Sequence, residues 1–442
     1  MAEKEKTGAK KSIEAVKKVR ALVKKMYEDG RREREEGGKV AYCMTVCGYD
    51  EILRAMKVQP IWTENYGALC AVKRDAERFI LKAESEGFSN DLCGYMRCGL
   101  GFDAMRSELG GAVPPNAPDG GMAMPHMLLG CSFACEPRYK WYEAVRHYYP
   151  HVPLFNYDVV VPPVDADLGE IREYYVRYQT EQFKELVKFL EKQTGKKMDF
   201  ARLSEIIMYS ESTMKTWYES YRFRAAIPCP MSSGDHFTAF VPAFMMLGTK
   251  EAMDFYHELY QELKYRVDHK IGVISEEKYR LLWAGGLPPW HTMWMFNYFE
   301  DKSAVFVRET REAYNPWDPF EIPVSLDDPI RYLAYRSFLR ATDKYEEAKR
   351  TKSWHGVAEM LMGFIRDYKL DGMVMHATKS CRATTIGQIH IKNVIQRFMN
   401  IPALQLTSDI VDIRDFSEME WKAEIDAFME VLENFKRRGR EV

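Results

Sequence analysis

The sequence alternates short apolar segments with longer segments of helical periodicity, and this alternation constrains the fold more than any other feature. Eight apolar segments rich in β-branched and aromatic residues are predicted strands: 39–46, 58–64, 124–132, 153–161, 278–286, 303–310, 372–378 and 402–409. Strands connected through helices usually lie parallel in a sheet covered on both faces. We therefore predict an α/β fold with two doubly wound, mainly parallel, Rossmann-like domains.

The helical segments suggest how the chain is divided. Apolar positions recur at helical spacing between 12 and 36, so residues 1–37 are predicted to carry an amphipathic N-terminal helix. Two long helices without an intervening strand, from Asp165 to Gly195 and from Asp199 to about Arg224, predict a helical bridge over 166–226. Asp165 or Asp167 is expected to cap the first of them. The bridge would separate a first α/β domain, 38–165, from a second, 227–442, that ends in a closing helix.

Charge and hydropathy exclude several classes of partner. The formal net charge of the 442 residues is −2, which gives no electrostatic reason to expect nucleic acid or a membrane surface as a partner. The longest apolar run, from Phe237 to Leu247, is interrupted by Pro242 and falls short of the roughly 20 residues that span a membrane. The N-terminus is charged and lacks the apolar segment of a signal peptide. We expect a cytoplasmic protein.

Nine cysteines in a reducing compartment are not expected to form a disulfide framework. Their spacing matches neither the C-x2-C pair of zinc sites nor a ferredoxin motif, so the cysteines could simply be buried structural thiols. Their placement along the chain instead favours a role as metal ligands. Cys131 and Cys135 follow one predicted strand, Cys381 follows another, and Cys93 and Cys98 lie where a helix is predicted to begin. Ligands collect at the carboxyl ends of parallel strands, and helix N-termini stabilise thiolates. These loops are therefore predicted to share one iron–sulfur cluster.

Other polar residues are candidates for a substrate pocket. The segment SSGDHF contains Ser233 and His236, and His291 follows the turn GGLPPW. Each could donate protons or bind substrate, but turn formation, capping or an ordinary hydrogen bond explains such residues equally well. The sequence contains no Walker A motif, no GxGxxG and no GxSxG, so nucleotide binding and serine-hydrolase chemistry lack support.

Four stretches together resemble a known family. They are GFSNDLCGYMRCGLG (87–101), LLGCSFACEPRYKWYE (128–143), EEKYRLLWAGGLPPW (276–290), and KSCRATTIGQ (379–388) followed by IPALQLTSDIVDIRDFS (401–417). From about residue 38 onward, the chain resembles the 2-hydroxyacyl-CoA dehydratases and the ATP-dependent benzoyl-CoA reductases. It is most similar to the larger cluster-bearing subunit of benzoyl-CoA reductase.

The resemblance implies a [4Fe–4S] cluster on three cysteines. The family pattern identifies them as Cys93, Cys135 and Cys381, because the second ligand precedes Lys140 of the KWYE motif by five residues. Cys98 and Cys131 are then additional thiols close to the ligands. The family also implies a related second cluster-bearing subunit and an ATP-hydrolysing iron–sulfur activator. The missing Walker A motif is consistent with ATP being bound by the activator and not by this chain.

The implied substrate is an acyl-CoA thioester, and three functions remain open. In the reductase branch, a ketyl radical anion is reduced and protonated to a cyclic dienoyl-CoA. Of the three functions, we predict this one. In the dehydratase branch, an (R)-2-hydroxyacyl-CoA loses water. The third alternative is a non-catalytic iron–sulfur subunit that only transfers electrons.

Overall fold

The structure is a computed structural model that describes residues 8–163, 165–310, 321–342 and 356–438. The eight predicted strands are confirmed, and they form two separate sheets with four strands each. The first sheet contains β1 (Lys39–Cys43), β2 (Val58–Trp62), β3 (Met127–Cys131) and β4 (Leu154–Tyr157). The second contains β5 (Tyr279–Ala284), β6 (Ala304–Glu309), β7 (Gly372–Thr378) and β8 (Ala403–Ser408).

Both sheets are parallel and have the same strand order. The first is ordered β2-β1-β3-β4 and the second β6-β5-β7-β8, with every neighbouring pair parallel. In each sheet the chain therefore starts in the middle, adds one strand on one side, and then crosses to the other side. This reversal creates a crevice at the carboxyl ends of the two central strands, which is where such folds bind ligands. The prediction of two doubly wound sheets is confirmed.

Helices cover the sheets, because the central strands are mostly apolar and almost completely buried. Every residue of β3, β5 and β7 is buried, as expected for parallel strands packed on both faces. The helices that follow the strands of the first sheet are α3 (Asp50–Ala55), α4 (Thr63–Val72), α5 (Ala76–Ser85), α6 (Gly94–Glu108) and α7 (Glu136–Tyr148). The second strand is predicted to reach residue 64, but β2 ends at Trp62 and α4 begins at Thr63.

Two long helices lie between the sheets in sequence, as predicted. The first, α8 (Leu168–Thr194), is capped by Asp167, whose carboxylate accepts the N–H of Gly169, and Gly195 follows it in the left-handed conformation. The second, α9 (Phe200–Arg222), is capped by Asp199 in the same way. The strands of the two sheets fall within 38–165 and 227–442, and the division into domains at these boundaries stays a prediction.

The predicted N-terminal helix consists of two helices, α1 (Glu14–Lys17) and α2 (Val19–Glu35), with Lys18 between them. They connect the two halves of the molecule, because α2 packs on β1 and β2 whereas α1 packs on elements that precede the second sheet. Those elements are α10 (Ser233–Ala239) and α12 (Lys250–Asp268), and α2 also contacts α11 (Val241–Met245). In the described residues, α14 (Pro329–Thr342) packs on α8 and α9, and the other helices that follow in the second half of the chain are α13 (Met295–Glu300), α15 (Gly356–Asp367), α16 (Arg382–Thr385), α17 (Gln388–Met399) and α18 (Glu418–Arg438).

Candidate functional site

The three cysteines of the predicted cluster occupy corresponding places in the fold. Cys135 follows β3 and Cys381 follows β7, and these are the equivalent strands of the two sheets. Each of the three cysteines is the residue immediately before a helix: Cys93 before α6, Cys135 before α7 and Cys381 before α16. Each of these cysteines therefore stands at a helix N-terminus.

Exposure separates these cysteines from the others. All nine cysteines lie in the described residues and are free, and six of them are buried. The three that are partly exposed are Cys93, Cys135 and Cys381. A cysteine that only fills the core has no reason to reach the surface, since the free thiol behaves as a small apolar group. The exposure pattern therefore separates the same three residues that the family pattern identified.

The three sulfur atoms lie in one another's electrostatic field. Burial raises the pKa of Cys93, and the neighbouring Cys381 and Cys135 raise it further. Burial also raises the pKa of Cys135 to about 11, against the lowering effect of Arg138 and together with the raising effects of Glu64 and Cys381. Neighbouring thiolates repel one another when they ionise, and bound iron would offset this negative charge.

Backbone amides at two of the helix starts favour the ionised thiolate. The N–H of Met96 lowers the pKa of Cys93, and the N–H of Arg138 lowers the pKa of Cys135. Both amides belong to first turns, where N–H groups lack partners within the helix. Three convergent thiols with such amides nearby match the donor set of an iron–sulfur cluster.

The described residues contain no group of three or more His, Cys, Asp or Glu arranged around a single metal ion. A cluster requires a different arrangement, because each cysteine binds a different iron atom and the sulfurs stand farther apart than the ligands of one ion. Three cysteine thiols are the donor type that iron–sulfur clusters take.

The additional thiols close to these cysteines are paired with other groups. Cys131 is fully buried; the N–H of Phe133 donates to its sulfur at 3.3 Å, and the Cys47 thiol is its hydrogen-bond partner. Although burial opposes it, the Cys47 hydrogen bond and Arg138 lower the pKa of Cys131. Likewise, the buried Cys98 is hydrogen-bonded to Cys70.

A cavity of about 890 Å³ is lined by residues close in sequence to this site, although none of the three cysteines lines it. The lining includes Thr45, Glu64 and Tyr95, of which Tyr95 lies two residues after Cys93. Its wall is mostly apolar and includes Leu69, Phe237, Phe240, Val241, Leu287, Trp290 and Met293. Basic residues also line it, namely Lys10, Lys11, Lys17, Arg20, Lys73 and Lys422. A cavity with a mostly apolar wall and several basic side chains suits a ligand that has an apolar part and a phosphorylated part.

Glu64 connects the cavity with the cysteine loops. Its carboxylate accepts hydrogen bonds from the N–H of Thr45 at 2.9 Å and from the Thr45 hydroxyl at 2.7 Å. It also accepts a bond from Arg138 Nη2 at 3.2 Å, and Arg138 lies three residues after Cys135. The sequence analysis missed Thr45 and Glu64. Each lies two residues after the end of a strand in the first sheet, so the rule that selected the cysteines could have found them.

Ser233 and His236 lie elsewhere, in a fully buried network at the end of β6. Arg224 donates from Nη2 to Glu309 Oε1 at 2.7 Å and from Nη1 to Glu309 Oε2 at 2.8 Å. His236 Nε2 is 3.7 Å from Glu309 Oε2, and Arg224 Nη2 is 3.2 Å from Ser233 Oγ. Neither residue lines the cavity, and their role as pocket groups stays a prediction.

His291 lies closer to the site but does not line the cavity either. Its Nε2 atom is 2.9 Å from the backbone oxygen of Asp409, and Asp409 also influences the pKa of Cys93. Burial lowers the pKa of His291 to about 4 against the opposing effect of that backbone bond. The imidazole is therefore neutral at neutral pH.

No helix in the described parts of the chain combines the length and the apolar character needed to cross a membrane.

The chain is similar in sequence to a known family and to several of its members. The family model described as 2-hydroxyglutaryl-CoA dehydratase, D-component, matches residues 45–432. The chain is 25% identical over 402 residues to the (R)-phenyllactyl-CoA dehydratase alpha subunit of Clostridium sporogenes, covering 90% of this chain and 91% of the relative. It is 26% identical over 425 residues to the (R)-2-hydroxyisocaproyl-CoA dehydratase alpha subunit of Clostridioides difficile, covering 96% and 97%. It is also 26% identical over 455 residues to a subunit of the benzoyl-CoA reductase of Thauera aromatica, covering 98% of each.

Proposed function

The chain belongs to the 2-hydroxyglutaryl-CoA dehydratase D-component family, and we propose that it is the [4Fe–4S] subunit of an ATP-dependent reductase of benzoyl-CoA or another aryl-CoA. The observation that carries the proposal is the position of Cys93, Cys135 and Cys381 at three helix starts, where Cys93 and Cys135 each lie in the electrostatic field of Cys381. Each of these relatives is named as one subunit of its enzyme, so a partner subunit is part of the proposal.

The three cysteines would hold the cluster as thiolates, with Cys93 on the α6 side and Cys135 and Cys381 after the equivalent strands of the two sheets. When bound, the cluster supplies single electrons and an iron atom with an open coordination position. The electrons would come from a separate ATP-hydrolysing iron–sulfur activator. No Walker A motif is present in the sequence, which agrees with ATP being used on another chain.

The cavity would bind the acyl-CoA thioester. Aromatic side chains line it, including Tyr95, Phe237 and Trp290. They offer flat apolar surfaces that suit an aryl group and exclude water from it. Lys17, Arg20 and Lys73 belong to the same lining and could pair with the phosphates of CoA.

Glu64 and Thr45, which both line the cavity, are proposed to accept and donate protons during turnover. The Glu64 carboxylate is held by two bonds from Thr45 and one from Arg138, so its orientation is fixed before substrate enters. Arg138 Nε lies 3.1 Å from Glu64 Oε1 and holds the carboxylate in place, and we propose that this carboxylate accepts a proton during turnover. Once protonated, the carboxyl could return the proton to the product.

Dehydration of an (R)-2-hydroxyacyl-CoA is the second candidate. The curated relatives include four dehydratase alpha subunits and one reductase subunit, at similar identity. The Thr45–Glu64 pair also supports it, because a hydroxyl donor and a carboxylate acceptor can bind a substrate hydroxyl group.

Anaerobic turnover separates the two candidates. The chain, its partner subunit and the activator would be incubated with ATP and either benzoyl-CoA or (R)-phenyllactyl-CoA. A cyclic dienoyl-CoA supports the reductase, and loss of water to cinnamoyl-CoA supports the dehydratase. If neither product forms while the clusters remain intact, the chain is a non-catalytic electron-transfer subunit and the proposal is wrong.

A further inference from the structure

The segments that carry Cys93 and Cys381 are joined by a chain of buried hydrogen bonds. The N–H of Gly94, the residue after Cys93, donates to the hydroxyl of Ser380 at 3.1 Å. Ser380, the residue before Cys381, in turn donates its hydroxyl proton to the carboxylate of Asp409. The exposed fraction of Ser380 is 9% and that of Asp409 is 1%, so water does not compete for these bonds.

Asp409 is itself held firmly, because its loop closes on its side chain. Its second carboxylate oxygen accepts the N–H of Val411 at 2.8 Å and the N–H of Asp412 at 2.9 Å. Its backbone oxygen lies 2.9 Å from His291 Nε2. A carboxylate with this many partners keeps its position, and Ser380 is positioned through it.

The same loop holds α6 at a second point. Arg97, one turn after Cys93, donates to Asp412 Oδ2 at 2.9 Å, and the side chains of both residues are almost fully buried. Arg414 Nη2 donates to Asp412 Oδ2 at 2.6 Å and to Glu84 Oε1 at 2.6 Å. The loop after β8 therefore contacts the first turn of α6 through Asp409 and Ser380 on one side and through Asp412 on the other.

Close packing at Gly94 supports a fixed distance between the two segments. A Cβ atom at this position would overlap Asp409 Oδ1 and would lie 3.1 Å from Val411 Cβ. Only glycine lets the backbone after Cys93 approach the Asp409 loop so closely. The hydrogen bonds and this contact fix the start of α6 relative to the end of β7.

We propose that Ser380 and Asp409 are positioning residues that set the separation of Cys93 and Cys381, so that two ligands of the cluster are in place before iron binds. This inference rests on the proposed function for its purpose, but the geometry it describes belongs to the iron-free chain. Such residues beyond the ligands typically change metal affinity by roughly 10- to 100-fold when they are removed.

The test uses Ser380→Ala, with Ser380→Thr to restore the hydroxyl and Ser220→Ala as the matched control. Ser220 is also fully buried, but its hydroxyl bonds only within its own helix, to the backbone oxygen of Thr216 at 2.7 Å. Two measurements are made on the full chain: transfer of iron to a chelator after anaerobic reconstitution, and cross-linking of Cys93 to Cys381 by a short bis-maleimide in the iron-free chain, followed by peptide mass spectrometry.

We expect Ser380→Ala to bind iron roughly 10-fold more weakly, to alter the EPR spectrum of the reduced cluster, and to slow the cross-link. Ser380→Thr should restore all three, and Ser220→Ala should change none of them. Unchanged iron affinity and an unchanged cross-linking rate in Ser380→Ala would overturn the positioning role. If the unsubstituted chain bound no iron, the proposed function would fail, whereas the cross-linking rate would still decide whether Ser380 positions the two cysteines.

Discussion

Arg138 Nε lies 3.1 Å from Glu64 Oε1, and this buried ion pair stands between the cavity and Cys135. Arg138 also donates to the backbone oxygen of Phe133 at 3.2 Å, within the loop that carries Cys135. One guanidinium thus orients both a carboxylate of the cavity and a loop of the cluster site. The pair connects substrate binding to the redox centre in the proposed enzyme.

The first prediction concerns that carboxylate. Glu64→Gln keeps the shape of the side chain but removes the proton acceptor, so turnover of the acyl-CoA substrate should fall by roughly 100-fold. Iron content and EPR spectrum should stay unchanged, because Glu64 is not a cluster ligand. Asp301→Asn, which lines the same cavity, is the matched control and should remain active. Equal activity in the two variants would remove Glu64 from the mechanism.

The second prediction distinguishes two neighbouring cysteines. Cys135→Ala should lose most of the bound iron, because Cys135 is partly exposed and lies near Cys93 and Cys381. Cys131→Ala should keep it, because Cys131 is buried and bonded to Cys47. Iron and sulfide analysis of both purified variants makes the comparison, and equal iron in both would show that the wrong cysteine was chosen.

The third prediction concerns the buried network around Ser233 and His236. The side chains of Arg224 and Glu309 have exposed fractions of 0% and 2%, so Glu309→Gln leaves the Arg224 charge without its ionised partner. Thermal or denaturant unfolding should show a loss of about 3 kcal/mol in the free energy of unfolding, with cluster content retained. Asp254→Asn, which breaks the exposed pair with Lys250, should leave the free energy of unfolding nearly unchanged. Stability equal to that of the control would mean that the buried pair does not support the fold.

The fourth prediction follows from the low pKa of His291, about 4 in the folded chain against 6.5 in an ordinary histidine. Between these values the unfolded chain binds the proton and the folded chain does not, so stability falls as the pH falls. His291→Asn removes this titration. The stability difference between the natural chain and the variant should therefore shrink from pH 6.5 toward pH 4, as measured by denaturant unfolding. A constant difference across this range would contradict the burial of a neutral imidazole.

Much of the fold was predictable because strand and helix patterns are local. The apolar segments identified all eight strands, and the caps at Asp167 and Gly195 identified a long helix. The strand ends were less accurate: the strand predicted to reach residue 46 ends at Cys43, and Val46 adopts a positive φ of 64°. The shared strand order of the two sheets depends on pairing between distant segments, which periodicity does not encode.

The site was only partly predictable for the same reason. Extending β2 to residue 64 treated Glu64 as the end of a strand, whereas it lies in the first turn of α4 beside Thr45. Ser233 and His236 were chosen for their residue types, and their surroundings depend on Arg224 and Glu309, which are 85 residues apart. No sequence pattern predicts the role of Ser380, because its hydrogen-bond partners Gly94 and Asp409 come from other parts of the chain.

The most direct test of the central claim is anaerobic iron and sulfide analysis combined with EPR on the purified chain and on the three single variants Cys93→Ala, Cys135→Ala and Cys381→Ala. We predict about four iron and four sulfide per natural chain, the EPR signal of one reduced [4Fe–4S] cluster, and loss of both in every variant. Iron that is absent from the natural chain, or that persists in all three variants, would contradict the claim that these cysteines hold a cluster.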